Sequence, residues 1–101
     1  MFRHLVRTEV KIGEFRDFVA AFKELNAVSA SVGLPKYRAW SSAFGGFNEV
    51  WMQADYDSLD AHVAAFDKAR ENETFTKAFR AYSSNVASAQ DWALIPIDDP
   101  T

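Results

Sequence analysis

Two strand-like runs, Pro35 to Phe44 and Phe47 to Tyr56, meet at Gly45-Gly46, and no other feature of the chain restricts its fold as tightly. Paired glycines between such runs predict a β-hairpin closed by a tight two-residue turn, because glycine accepts the positive φ that the turn demands. That turn would set Phe44 opposite Phe47, Trp40 opposite Trp51 and Arg38 opposite Gln53. Side chains alternate across a strand, so one face collects Arg38, Trp40, Ser42, Phe44, Phe47, Glu49, Trp51 and Gln53. The other collects Tyr37, Ala39, Ser41, Ala43, Asn48, Val50, Met52 and Ala54. A slip of one residue would exchange the two sets.

The flanking segments have equally plain periods. Phe2 to Val10 has no helical stripe and alternates as a strand, with Phe2, His4, Val6 and Thr8 on one side and Arg3, Leu5, Arg7 and Glu9 on the other. From Glu14 to Val32, the residues Phe15, Phe18, Val19, Phe22, Leu25, Val28 and Val32 recur at three- and four-residue spacing, one apolar helical face. Gly33 and Pro35 stop that helix. Asp57-Ser58-Leu59-Asp60 predicts a helix start with Asp57 as cap, followed by Leu59, His62, Val63 and Phe66 on one face. The pattern stalls at Glu71-Asn72-Glu73, where Thr74 is placed to cap a second piece carrying Phe75, Ala78, Phe79, Tyr82 and Val86. Gln90 to Ile97 predicts a last strand, at an edge because of Pro96.

The resulting order, β-α-β-β-α-β, is the ferredoxin-like arrangement: an α+β fold with a four-stranded antiparallel sheet and its helices on one face. Residues 1–97 then form a single domain and 98–101 a flexible acidic tail. The helix-covered face must exclude free charge, which turns Phe2, His4 and Val6 inward together with Ala39, Ala43, Val50, Met52 and Ala54. The open face would carry Arg38, Trp40, Phe44, Phe47, Glu49 and Trp51, too large an apolar patch for a lone chain. Packing it on a second copy, sheet against sheet, gives a homodimer and a dimeric α/β barrel, with those six residues at the interface.

Composition removes several function classes. With no cysteine, the chain has no disulfide, thiolate metal site or Cys nucleophile. A net charge of −3 argues against nucleic acid as partner, although the RNA-recognition fold shares this element order. No apolar run approaches the ~20 residues of a membrane span, and no signal-peptide pattern opens the chain, so a cytoplasmic protein with no membrane partner is expected. Two isolated histidines give no metal-ligand spacing, and Gly45-Gly46 precedes Phe-Asn rather than a phosphate-binding Lys.

Three segments resemble the NIPSNAP-like branch of the dimeric α/β-barrel superfamily: Val10-Lys11-Ile12-Gly13-Glu14-Phe15, Gly46-Phe47-Asn48-Glu49-Val50-Trp51 and Tyr56-Asp57-Ser58-Leu59-Asp60-Ala61. The likeness covers most of the chain and implies two ferredoxin-like subunits closing their sheets into one barrel. Arg3-His4-Leu5-Val6 is also similar to the first-strand His context of stress-responsive barrels and polyketide cyclases, where a second His helps to flank a pocket between sheet and helices. The His-Pro-x-x-His context of those cyclases is missing. The pattern of haem-degrading relatives is missing too, since the first strand has no Asn and no Trp falls between Trp51 and Trp92.

His4 and His62 are the only imidazoles, and both are expected to project into the layer between helices and sheet as a general acid–base pair. Ala39 and Ala54 would leave room there for a small ligand, with Tyr37 and Tyr82 as polar handles. The expected function is a homodimer that binds or transforms a small apolar or aromatic molecule without a bound cofactor. Its enzymatic form would be a cofactor-independent oxygenase, cyclase or isomerase. The alternative is a non-catalytic dimerisation module with a solid core, in which the two His are hydrogen-bonded core residues.

Overall fold

The computed structural model describes residues 1–98. Its order is β1 (Phe2–Val10), α1 (Phe15–Ser31), β2 (Arg38–Ser41), β3 (Glu49–Tyr56), α2 (Leu59–Arg70), α3 (Glu73–Ser83) and β4 (Val86–Leu94). All strand pairs are antiparallel, in the order β2-β3-β1-β4, so the ferredoxin-like α+β fold holds with its second helix divided in two. The molecule is a slab 17 Å thin across its shortest axis, the thickness of one sheet under one helical layer. Of the expected tail at 98–101, residues 99–101 lie outside the described residues.

The hairpin register is the one that the sequence predicts: Arg38 opposes Gln53, Ala39 opposes Met52, Trp40 opposes Trp51 and Ser41 opposes Val50. The tight turn is not. Pairing continues through Ser42 N–H to Glu49 C=O, 3.2 Å, and then opens into a loop over 42–48. Only Gly45 takes a positive φ, 109°, and Asn48 takes another, 55°, so the two-residue turn with both glycines left-handed does not form. Phe44 and Phe47 therefore leave the sheet and stand in solvent, 96% and 79% exposed, instead of extending the open face as expected.

Other boundaries shift for local reasons. The α2 cap is Ser58, whose Oγ accepts from Ala61 N–H, and not Asp57. The α3 cap is Asn72, which accepts from Phe75 N–H, and not Thr74. Each cap is the residue whose side-chain oxygen lies three before an unpaired N–H, the geometry a cap requires. Strand β4 begins at Val86 and ends before Pro96, because β1 is long enough to pair with it from Val10, across a bulge next to Glu9. As expected, β4 lies at an edge. Helix α1 ends with Gly33 at φ 89° and Leu34 N–H bonded to Ser29 C=O at 3.0 Å, which seats Leu34 in the core.

The core lies between sheet and helices in two clusters. One joins Phe2, Ala54 and Tyr56 to Val28, Leu34, Ala69, Phe75 and Ala78. The other joins Val10, Val50 and Met52 to Phe18. Of the inward sets expected for β1 and β3, Phe2, Thr8, Val50, Met52 and Ala54 are buried and His4 and Val6 half-buried, but Ala39 and Ala43 are exposed, because the helices do not reach across short β2 and the loop after it. On the opposite face of the sheet, Trp51 and Trp92 stack at 6.1 Å across β1, and Trp40 lies beside them.

Candidate functional site

His4 is drawn into a chain of hydrogen bonds that crosses three strands and the loop before β2. Its Nε2 lies 2.9 Å from Asp91 Oδ2, its Nδ1 lies 2.6 Å from Tyr37 Oη, and Tyr37 Oη lies 3.0 Å from Tyr56 Oη. Sheet order produces this arrangement. His4 points inward from central β1, Asp91 shares that face on β4, where it pairs with Val6, and Tyr56 shares it on β3, opposite Phe2. Asp91 belongs to an edge strand, so its side chain stays 68% exposed while that of His4 is 16% exposed.

Tyr37 arrives from the loop after α1, and Asn26 holds it there. The Asn26 amide donates from Nδ2 to Tyr37 C=O at 2.9 Å and accepts Tyr37 N–H on Oδ1 at 2.8 Å, imitating a strand partner. Burial pushes the Tyr37 hydroxyl well above the ordinary phenol range. Burial also raises Tyr56 and Tyr82.

Beside this chain lies a cavity of about 390 Å³ between the sheet and the helices. Val6, Phe22, Leu25, Leu34, Met52, Phe66, Phe75 and Phe79 form its apolar wall. Its polar lining is His4, Asn26, Ser29, Tyr37, Tyr82, Gln90 and Asp91. A mostly apolar cavity with a few convergent polar groups is the usual form of a small-molecule site.

The expected site residues divide. His4, Tyr37 and Tyr82 line the cavity together. Ala39 is exposed at the edge, and Ala54 is packed in the core beneath Phe2 and Tyr56, so neither reaches the cavity. His62 stands behind His4, their ring centroids 5.3 Å apart, within an aromatic box whose other walls are Tyr56 at 4.4 Å, Phe66 at 5.2 Å and Phe2 at 5.7 Å. Its Nδ1 is buried with no hydrogen-bond partner among the described residues. Desolvation lowers the His62 pKa, and neighbouring His4 lowers it further, so the ring is held neutral.

Asp91 and Asn26 were not legible as site residues from periodicity. Asn26 did leave one trace, a poor helix former on the apolar side of a helix. Asp91 left only an acid in an edge strand.

On the open face, Glu49 accepts from Trp51 Nε1 at 2.8 Å, Arg7 Nε at 2.6 Å and Ser42 Oγ at 3.1 Å. The Trp51 and Arg7 bonds hold its carboxyl below the usual carboxylate range. Arg3 and Asp55 form a second pair there at 2.8 Å. Arg38 lies over Trp40, 5.0 Å from the ring centroid. Among the described residues, no group of three or more His, Asp or Glu could hold a metal ion, and no helix is long and apolar enough to cross a membrane.

No family model matches the chain, and no curated protein matches it. Solved structures do. A NIPSNAP domain protein from Burkholderia xenovorans superposes with a TM-score of 0.85 at 14% identity, covering 100% of both chains. A NIPSNAP family protein from Agrobacterium tumefaciens also gives 0.85, at 18% identity over 96% of this chain and 86% of that one. An antibiotic biosynthesis monooxygenase gives 0.72 at 12% identity, over 96% and 99%. The chain thus has the ferredoxin-like fold found in NIPSNAP-domain proteins and in antibiotic biosynthesis monooxygenases.

Proposed function

We propose that the chain works as a homodimer that binds or transforms a small apolar or aromatic molecule in the cavity beside His4, without a bound cofactor. The observation that carries this reading is a single one: an imidazole hydrogen-bonded on both nitrogens lines a mostly apolar cavity. His4 is the acid–base group, because an imidazole can both accept and donate a proton and hydrogen bonds fix its orientation at both ends. His62 stands behind His4, and it is His62 that burial and neighbouring His4 keep from taking up a charge. A purely structural dimer with a solid core has the cavity against it. An antibiotic biosynthesis monooxygenase shares the fold, and that likeness supports oxygenation as one candidate reaction.

The dimer uses the open sheet face. Four strands about 4.8 Å apart and eight residues at about 3.3 Å give roughly 500 Å² per copy, about 1,000 Å² for the pair, the lower bound for a specific interface. Trp40, Trp51 and Trp92 supply the aromatic anchors, while the Glu49–Arg7 and Arg3–Asp55 pairs neutralise the face. The cytoplasm is the compartment that suits a chain with no cysteine.

Screening the intact protein against a library of small aromatic compounds by NMR tests the cavity. Binders are expected to shift resonances of Leu25, Met52 and Phe75, and Leu25→Trp, which fills the space, is expected to abolish the shifts. A library that perturbs none of these residues would overturn the reading.

A further inference from the structure

Resting on the ligand-cavity reading above, we infer that the site takes an uncharged molecule bearing a weakly acidic hydroxyl, a phenol or an enol, and that Tyr37 relays its proton to His4. The Asp91 carboxylate only accepts, so His4 Nε2 carries the ring hydrogen and, in the neutral ring, Nδ1 is a lone pair. Tyr37 must then donate its one hydroxyl hydrogen to Nδ1, 2.6 Å away. Tyr56, 3.0 Å from Tyr37, must in turn donate to the Tyr37 oxygen. The Tyr37 oxygen is left with one unused lone pair and no hydrogen to offer. Toward the cavity, Tyr37 is an acceptor, and the ligand that completes it is a donor.

Charge selects further. Among the described residues, the cavity wall contains no Lys or Arg, and its one carboxylate is Asp91. A ligand that arrives as an anion, while His4 is still neutral, would meet no compensating cation and would lie near the negative Asp91. Carboxylates and sulfonates are therefore rejected, while a neutral hydroxyl is accepted.

The same bonds provide a proton path. The ligand O–H bond breaks as its proton joins the Tyr37 oxygen, and the original Tyr37 O–H bond breaks as that proton joins His4 Nδ1. The ligand becomes an oxyanion, and His4 becomes an imidazolium stabilised by Asp91; no electrons are transferred. The raised pKa of Tyr37 makes a free tyrosinate costly, so the two transfers occur together. Asp91 is a positioning residue in this scheme: it dictates the tautomer from which every other direction follows.

The test uses three probes of one shape on the intact protein, namely naphthol, its methyl ether and naphthoate. Naphthol is expected to bind about tenfold tighter than the ether, the effect of one well-placed hydrogen bond, and naphthoate more weakly than either. Nitrogen NMR of the unliganded protein is expected to show His4 protonated on Nε2 and bare on Nδ1. In Asp91→Asn, whose exposed side chain leaves the core untouched, the amide can donate to Nε2 and the tautomer reverses. Both the NMR signature and the naphthol preference should then disappear. Tyr37→Phe removes the acceptor itself and should erase the preference while the ether still binds. Equal binding of naphthol and ether to the wild-type protein, or a preference that survives Asp91→Asn, overturns the relay and leaves the cavity reading standing. Failure of all three probes to bind takes down both.

Discussion

Asn26 is the residue on which the geometry of the site depends most directly, although it never touches His4. Its amide closes two hydrogen bonds with the backbone of Tyr37, at 2.9 and 2.8 Å, and so holds the loop after α1 against the helix. Asn26→Ala removes both and leaves a half-buried N–H and C=O of Tyr37 without partners. At about 1 kcal/mol for each bond, with up to about 1 more for desolvated groups left unpaired, the loss is about 2–3 kcal/mol. Alanine returns about 0.5 kcal/mol through its better helix propensity. The net destabilisation is about 2 kcal/mol, a fall of about 8–16 °C in Tm for a domain of this size. Urea denaturation is the assay, with an unchanged m-value showing that only stability has moved. A loss below about 0.5 kcal/mol would refute the reasoning, since the two bonds would then be replaceable by water. The same variant should weaken the Tyr37–His4 bond, read as a shift of the His4 ring nitrogens. Full destabilisation with those resonances unmoved would show that Asn26 anchors the loop without aiming Tyr37.

Three further outcomes are expected. Phe18 is 2% exposed and is packed by Phe22, Phe15 and Tyr82, so Phe18→Ala should cost about 3–5 kcal/mol in urea denaturation, and a cost below about 1 would mean the site collapses freely. The folded His62 pKa is depressed, so the unfolded chain binds its proton first as pH falls; stability should be fully present above the unfolded value near 6.5 and be lost below it, and His62→Phe should flatten that slope. A slope unchanged by His62→Phe would assign it to other groups, with Asp55 and Glu49, also depressed, contributing only at more acidic pH. Trp40→Glu places a charge among the aromatic anchors of the open face, on its β2 side, and should convert a dimer into a species of the 11.4 kDa chain mass in analytical ultracentrifugation; a wild-type protein already monomeric at high concentration removes the dimer.

Much of the scaffold was legible in the sequence because its causes are local. The apolar stripe from Phe15 to Val32 reports a helix whatever it packs against, and Gly33 ends it at the positive φ that glycine tolerates best. Alternation along β1 and β3 assigned their faces, since a charge facing the core costs more than any local preference gains. Even the pairing of Trp40 with Trp51 followed from the position of two glycines. What failed were the features set by distant partners. Phe44 and Phe47 left the sheet where Glu49 gathers Trp51, Arg7 and Ser42, and Ala39 stayed exposed because no helix covers β2.

The candidate site belongs almost wholly to the second kind. His4 and Tyr37 stood out as polar residues on an inward face, and Tyr82 as a handle nearby, so half of the cluster was visible as residue types in the right layer. Their union was not. His4 meets Tyr37 across 33 residues and Asp91 across 87, and Tyr37 meets Tyr56 across 19. The sequence by itself determined which apolar residues of β1, β3 and α1 turn toward the space between sheet and helices, because burial of apolar surface acts on every turn and strand separately. Only the tertiary structure decided which of them share a proton, because a hydrogen bond needs partners within about 3 Å, and the strand order β2-β3-β1-β4 is what brings these together.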